Sequence, residues 1–165
     1  VYYGFSELKA MGVIPSIPKL IGVQFAACAP IARAFEMNSN EIEPVEKKPC
    51  VSDALLNRTP IAGKHTLLAA RETGGKIISI TDDECIDAIR QLGSHEGLFM
   101  EPAGCAAFAG LKKLISHGEL KGAKSVVCTL TGHGLNSPGS AFSVNETPEV
   151  VKADVESVEA YLGLV

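Results

Sequence analysis

The sequence predicts an α/β domain with a largely parallel sheet and helices on both faces, a three-layer arrangement. Three observations predict it. Strand-like apolar runs alternate with helix-like segments along the 165 residues, the order that builds parallel sheets. The run "SVVCTLT", 125–131, is apolar almost throughout, as strands covered on both faces are. The segment "TDDECIDAIRQLGSHEG", 81–97, opens with a capping box of Thr81 and Glu84, and puts Asp82 and Asp83 at the positive end of a helix.

The elements follow in order. "GFSELKAMG" reads as a helix with Ser6 as cap and Gly12 as stop. "KLIGVQF" is a strand after a turn holding Pro15 and Pro18. "APIARAFE" is a short helix that accepts Pro30 in its first turn. Residues 37–50 are polar and proline-broken, a surface loop, and "VSDALLNRTP" is open between turn and short helix. "AGKHTLLAARETGG" is a helix closed by Gly74 and Gly75, and "KIISI" is a strand. The capped helix after it turns Ile86, Ile89 and Leu92 inward. "LFM" is a brief extended piece. "EPAGCAAFAGLKKLISHG" is a helix with Pro102 in its first turn. Its opening half is so small-sided that it must lie close to other backbone. The tail "DVESVEAYLGL" is an amphipathic helix.

Composition narrows the function classes. Hydrophobic residues are 46% and charged residues 21% of the chain, which is globular composition. A net charge of −4, with no lysine or arginine run longer than a pair, argues against a nucleic-acid partner. No apolar stretch is long enough for a membrane span, and no secretory leader is visible. The odd set Cys28, Cys50, Cys85, Cys105 and Cys128, without a C-x-x-C, argues against zinc and disulfides and for reduced cytoplasmic thiols.

Ligands of such sheets bind at the carboxyl ends of strands, which puts Thr131 to Gly134 on the binding edge. Gly132 and Gly134 flank His133 there. Spacing leaves two readings open: a tight turn needing positive φ, or close approach of bare backbone to a ligand. The dinucleotide fingerprint fails, because Ser137 stands where its third glycine belongs and the motif follows the last strand. Glu101 is either a solvated carboxylate at a helix start or an acid beside the site.

Four stretches together carry a resemblance. "LTGHGLNSP" resembles the T-G-H-G-L-K signature of threonine synthases. "EGLFMEPAGCAAFAGLKKL" is similar to their E-G-I-F-x-E-P-A segment, "GFSELKAMGVI" with "LIGVQFAACAPI" to their G-F-x-E and G-x-Q-x-x-x-A-A-P-I stretches, and "ETGGKIISITDDE" to their S-G-G and D-E-E stretch. Order and spacing agree from about residue 4 to residue 138. The resemblance implies part of the large domain of a fold-type-II enzyme dependent on pyridoxal 5′-phosphate (PLP), like the tryptophan synthase β subunit. It implies residues 1–140 as the C-terminal PLP-enzyme domain and 141–165 as an extension with a terminal helix.

The resemblance also implies site roles. Thr131 would hydrogen-bond the pyridine nitrogen of PLP, Gly132 would pass by the ring edge, Ala26 and Ala27 would line the pocket, and Glu101 would lie beside the strand ends. The substrate would be an amino acid, O-phospho-L-homoserine, with water added and phosphate released. None of the lysines has the S-x-K-D-R setting of the Schiff-base lysine. The expectation is therefore a C-terminal fragment, inactive alone and without bound PLP, whose opened edges favour a homodimer. "LNRTP", Leu56 to Pro60, departs from the family's R-I-G-N-P, and Asn136 replaces its lysine. The first departure leaves the substrate open, with cysteate synthase and threonine deaminase on the same scaffold. A non-catalytic α/β binding module is the alternative of another class.

Overall fold

The computed structural model describes residues 1–139 and 149–164. It is α/β, with a parallel sheet between two helical layers. In order come α1 (Tyr2–Ala10), β1 (Ile21–Phe25), α2 (Pro30–Glu36), α3 (Gly63–Glu72), β2 (Lys76–Ile80), α4 (Asp82–Gln91), α5 (Pro102–Ser116) and α6 (Val155–Tyr161). β1 and β2 pair in parallel, from Ile21 opposite Lys76 to Phe25 opposite Ile80. Side chains alternate across a strand, so Val23, Phe25, Ile78 and Ile80 share one face and Ile77 lies on the other.

Each face has its own core. Phe25 and Ile80 pack with Cys85, Ala88, Ile89 and Leu92 of the α4 side and with Cys105, Ala106 and Ala109 of α5. Ile77 packs with Ile31, Ala32 and Ala34 of α2 and Leu67 and Ala70 of α3. Burying a side chain of the size of Phe25 or Ile80 stabilises the fold by about 1.5–3 kcal/mol. Gly110 lets α5 lie on the sheet, since a Cβ there would come 2.6 Å from Cγ2 of Val23. Gly74, with φ +63, ends α3, and at Gly75 a Cβ would fall 1.9 Å from the Leu20 carbonyl oxygen.

The capping box of α4 is formed: Thr81 N–H donates to Glu84 Oε2 at 2.8 Å and Glu84 N–H to Thr81 Oγ1 at 3.2 Å. The inward face of α4 differs in detail from the expected stripe. Cys85, Ala88 and Ile89 are buried and Ile86 only partly so, because α5 packs closely against smaller side chains. Ser6 does not cap α1. The helix starts four residues earlier and Ser6 Oγ donates back to the Tyr2 carbonyl at 3.0 Å. α6 is capped by Asp154, whose Oδ1 accepts from Ser157 N–H at 2.8 Å. The residues 141–148 of the expected extension lie outside the described residues.

The larger difference concerns "SVVCTLT". It is extended but belongs to no sheet, and among the described residues no backbone group of 125–131 makes a hydrogen bond. Val126 is 51% and Val127 86% exposed. A strand covered on both faces needs neighbours for its ladder and a layer on each side. Among the described residues the sheet has two strands, and the run lies outside it, with Leu130 against the core and Cys128 Sγ donating to the Ala107 carbonyl of α5 at 3.8 Å.

Candidate functional site

The site is built where the run 125–131 turns onto the start of α5. Glu101 N–H donates to the Gly132 carbonyl at 3.1 Å and Gly134 N–H to the Phe99 carbonyl at 2.9 Å. Met100 and His133 form an antiparallel bridge between the two pieces. Three glycines make this seam, and at Gly104 the atoms a Cβ would meet are backbone. A Cβ at Gly132 would fall 1.9 Å from Glu101 Oε1, one at Gly134 2.4 Å from the Phe99 ring, and one at Gly104 2.6 Å from Gly132 N. Neither Gly132 nor Gly134 has positive φ, so close approach, not turn geometry, accounts for both. What they approach is the protein itself.

Of the five residues the sequence singles out, Glu101 and Gly132 are brought into contact. Glu101 is half-buried at the N-cap of α5 and makes no capping bond with its side chain. Thr131 is exposed, and its hydroxyl has no hydrogen bond among the described residues. Ala26 and Ala27 leave the end of β1 in a 3-10 turn, Ala26 exposed and Ala27 packed on the core that Leu130 also touches. The Ala27 carbonyl accepts from Lys48 N–H at 3.0 Å. An open concavity of about 510 Å³ adjoins the seam at Phe99 and is also lined by Ile89, Arg90, Ser94 and Leu98 with two glycines.

Several contributors were less visible in the sequence. Gln24 Oε1 accepts from Ile31 and Ala32 N–H at 2.9 and 3.0 Å, which fixes α2 against the turn at Ala26. Asp82 holds the loop 44–51, with Val51 N–H on Oδ2 at 3.0 Å and Cys50 Sγ on Oδ1 at 3.1 Å. Partial burial, together with that carboxylate, pushes the Cys50 thiol up to about 11. The Cys85 thiol is also pushed far up, by its hydrogen bond with Cys105 and by burial. Neither sulfur is a thiolate nucleophile at neutral pH. Gly104 had a signal in the small-sided start of α5, which announced a close backbone neighbour without saying which; Phe99 had none.

No helix among the described residues is long and apolar enough to cross a membrane. The threonine synthase of Methanosarcina acetivorans is 37% identical over 164 residues, 99% of this chain and 40% of that protein. That of Methanocaldococcus jannaschii is 32% identical over 162 residues, 98% of this chain and 40% of that protein. The chain thus spans about two fifths of the length of these relatives. An L-serine ammonia-lyase from Rhizomucor miehei has the same fold over 86% of this chain and 45% of its own, with TM-score 0.64 and 15% identity. A serine racemase from Dictyostelium discoideum matches over 76% of this chain and 38% of its own, with TM-score 0.55 and 16% identity. The sequence model of the pyridoxal-phosphate dependent enzymes matches residues 1–132, and the chain belongs to that family.

Proposed function

We propose that this chain is the C-terminal part of a threonine synthase: residues 1–140 form the cofactor-side domain and 141–165 an extension. The reaction proposed for the assembled enzyme is O-phospho-L-homoserine plus water to L-threonine plus phosphate. One observation carries the reading: the Thr131 hydroxyl is unspent, on an exposed face at the end of an extended run. A hydroxyl can donate to or accept from a pyridine nitrogen without forcing a proton onto it. That chemistry fits PLP, which when bound supplies the electron sink for proton loss from the substrate.

The roles of the chain's own residues follow. Thr131 binds the ring nitrogen. Gly132, held by Glu101 N–H, keeps the loop flat beside the ring, and the Glu101 carboxylate lies next to it. Ala26 and Ala27 leave room at the end of β1 for a flat ring, and Gln24 fixes their turn. The lysine that carries the cofactor belongs to polypeptide outside these residues, so this chain by itself is expected to be inactive and free of PLP. Cytoplasmic residence and self-association through the open run at Val126 and Val127 complete the reading. Light scattering of the isolated chain checks the self-association, and a monomer at high concentration removes it.

The test is phosphate release by the assembled enzyme from O-phospho-L-homoserine against O-phospho-L-serine. Preference for the first supports threonine synthase. Preference for the second supports a β-replacement relative, which the departure at Leu56 to Pro60 leaves open. Thr131→Val is expected to weaken cofactor binding by about 0.5–1.5 kcal/mol, the worth of one hydrogen bond. Unchanged affinity in that variant removes the role given to Thr131.

A further inference from the structure

Thr131 has a companion on its face. From Val127 to Gly134 the exposure alternates: Val127, Thr129, Thr131 and His133 are exposed, Cys128, Leu130 and Gly132 are partly covered, and Gly134 is buried. A period of two is the signature of extended backbone, so His133 and Thr131 leave the chain on the same side, one pleat apart. Its ring is held in place. Leu135 N–H donates to His133 Nδ1 at 3.2 Å, capping the 3-10 turn Gly134–Asn136. The Phe99 ring meets it edge to face, with centroids 5.5 Å apart and planes at 83°.

Nδ1 is therefore engaged as an acceptor, and in the neutral ring the proton sits on Nε2. We propose that His133 is a further substrate-binding residue, which presents Nε2–H as a fixed donor to an anionic oxygen of the amino-acid substrate, further along the cofactor ring than the nitrogen given to Thr131. This rests on the reading of the Thr131 face as the cofactor face. The role is binding rather than proton transfer, because the nitrogen that could take a proton already accepts the Leu135 N–H.

Two variants separate the two ends of the ring. His133→Asn can keep the acceptor that caps Leu135 and lacks the outer donor; His133→Gln can keep an outer N–H and lacks the cap. In the assembled holoenzyme, His133→Asn is expected to raise KM for O-phospho-L-homoserine about tenfold or more, as loss of a hydrogen bond to a charged group does. Turnover number and cofactor absorbance stay as in the parent, and His133→Gln restores most of the KM. An unchanged KM in His133→Asn overturns the proposal and leaves His133 a turn cap. Nitrogen-15 NMR of the imidazoles in the 165-residue chain gives a second readout. A single Nε2–H tautomer at His133 supports the proposal, and a tautomer mixture overturns it. Thr131→Val keeps the two readings apart: cofactor affinity lost there with KM unchanged in His133→Asn sinks His133 alone, and the converse sinks the Thr131 role alone.

Discussion

β2, "KIISI", lies between two helical layers with Ile77 and Ile80 buried, while "SVVCTLT" lies outside the sheet, touching α5 and the edge of the core, with Val127 86% exposed. Both runs are apolar and rich in β-branched residues, and both are extended. The difference is in what surrounds them. β2 has β1 beside it in register, α2 and α3 on one face and α4 and α5 on the other. The second run has α5 and a three-glycine seam at its end. Composition records the environment a segment is suited to, and neighbours decide whether it gets one. The site residues Thr131 and His133 sit in the region whose environment is open.

The largest expected effect tests that contrast directly. Ile80→Ala should destabilise the chain by about 2–5 kcal/mol, since it removes buried methyl groups and leaves a cavity. Val127→Ala should change the stability of the chain, at dilutions where it is monomeric, by no more than about 0.5 kcal/mol, as exposed substitutions do. Urea unfolding midpoints of the two variants measure this. A cost at Val127 comparable to that at Ile80 would mean the run is covered in solution.

Next in size is the seam between the regions. Gly104→Ala places a methyl group 2.6 Å from Gly132 N and 2.7 Å from its carbonyl oxygen, positions of backbone rather than of a yielding side chain. The expected cost is about 1–3 kcal/mol, together with faster amide exchange at Glu101 and Gly134, whose N–H groups are bonded across the seam. Slow exchange at both amides in the variant would show that the loop shifts without detaching. Lys113→Met should cost less, about 1 kcal/mol. Lys113 Nζ donates to the Ser79 carbonyl at 2.8 Å and to Glu84 at 3.1 Å, tying α5 to β2 and α4. Thermal unfolding reads it, and an unchanged midpoint would assign the packing of α5 to apolar contacts alone.

Much of the body was legible because its signals are local. Thr81 with Glu84 announces a helix start, Pro30 and Pro102 mark first turns, and Gly74 ends α3. The layers on both faces follow from the alternation of strands and helices. At the site, Gly132 and Gly134 signal a close approach, but sequence cannot say to what. The structure answers with Glu101 and Phe99, partners about thirty residues away in the chain. The isolation of "SVVCTLT" was not legible at all, because a missing neighbour leaves no trace in the segment that lacks it. Nor was the tautomer of His133, which depends on the Leu135 N–H folding back in a 3-10 turn.

The smallest effect concerns a charge pair on the surface of the body, far from the open region. Lys112 Nζ donates to Asp87 Oδ2, between α5 and α4. That bond holds the Asp87 carboxyl below its ordinary value, with a lesser contribution from Gln91. Asp87 is largely exposed and Lys112 partly so, so screening limits the pair's worth to about 0.5 kcal/mol or less. The sign follows from the direction of the shift. A depressed folded value stabilises the fold above the unfolded value, about 3.9 for aspartate, and the stabilisation fades as pH falls through the folded value. Lys112→Met should therefore lie slightly below the parent in stability at neutral pH, and the gap should close in acid. Urea titrations of both proteins from pH 7 down to the acid limb measure the gap. A gap that persists where Asp87 is protonated in both states would reflect lost packing of the lysine stem across α4, and would make this surface seam apolar like the core beneath it.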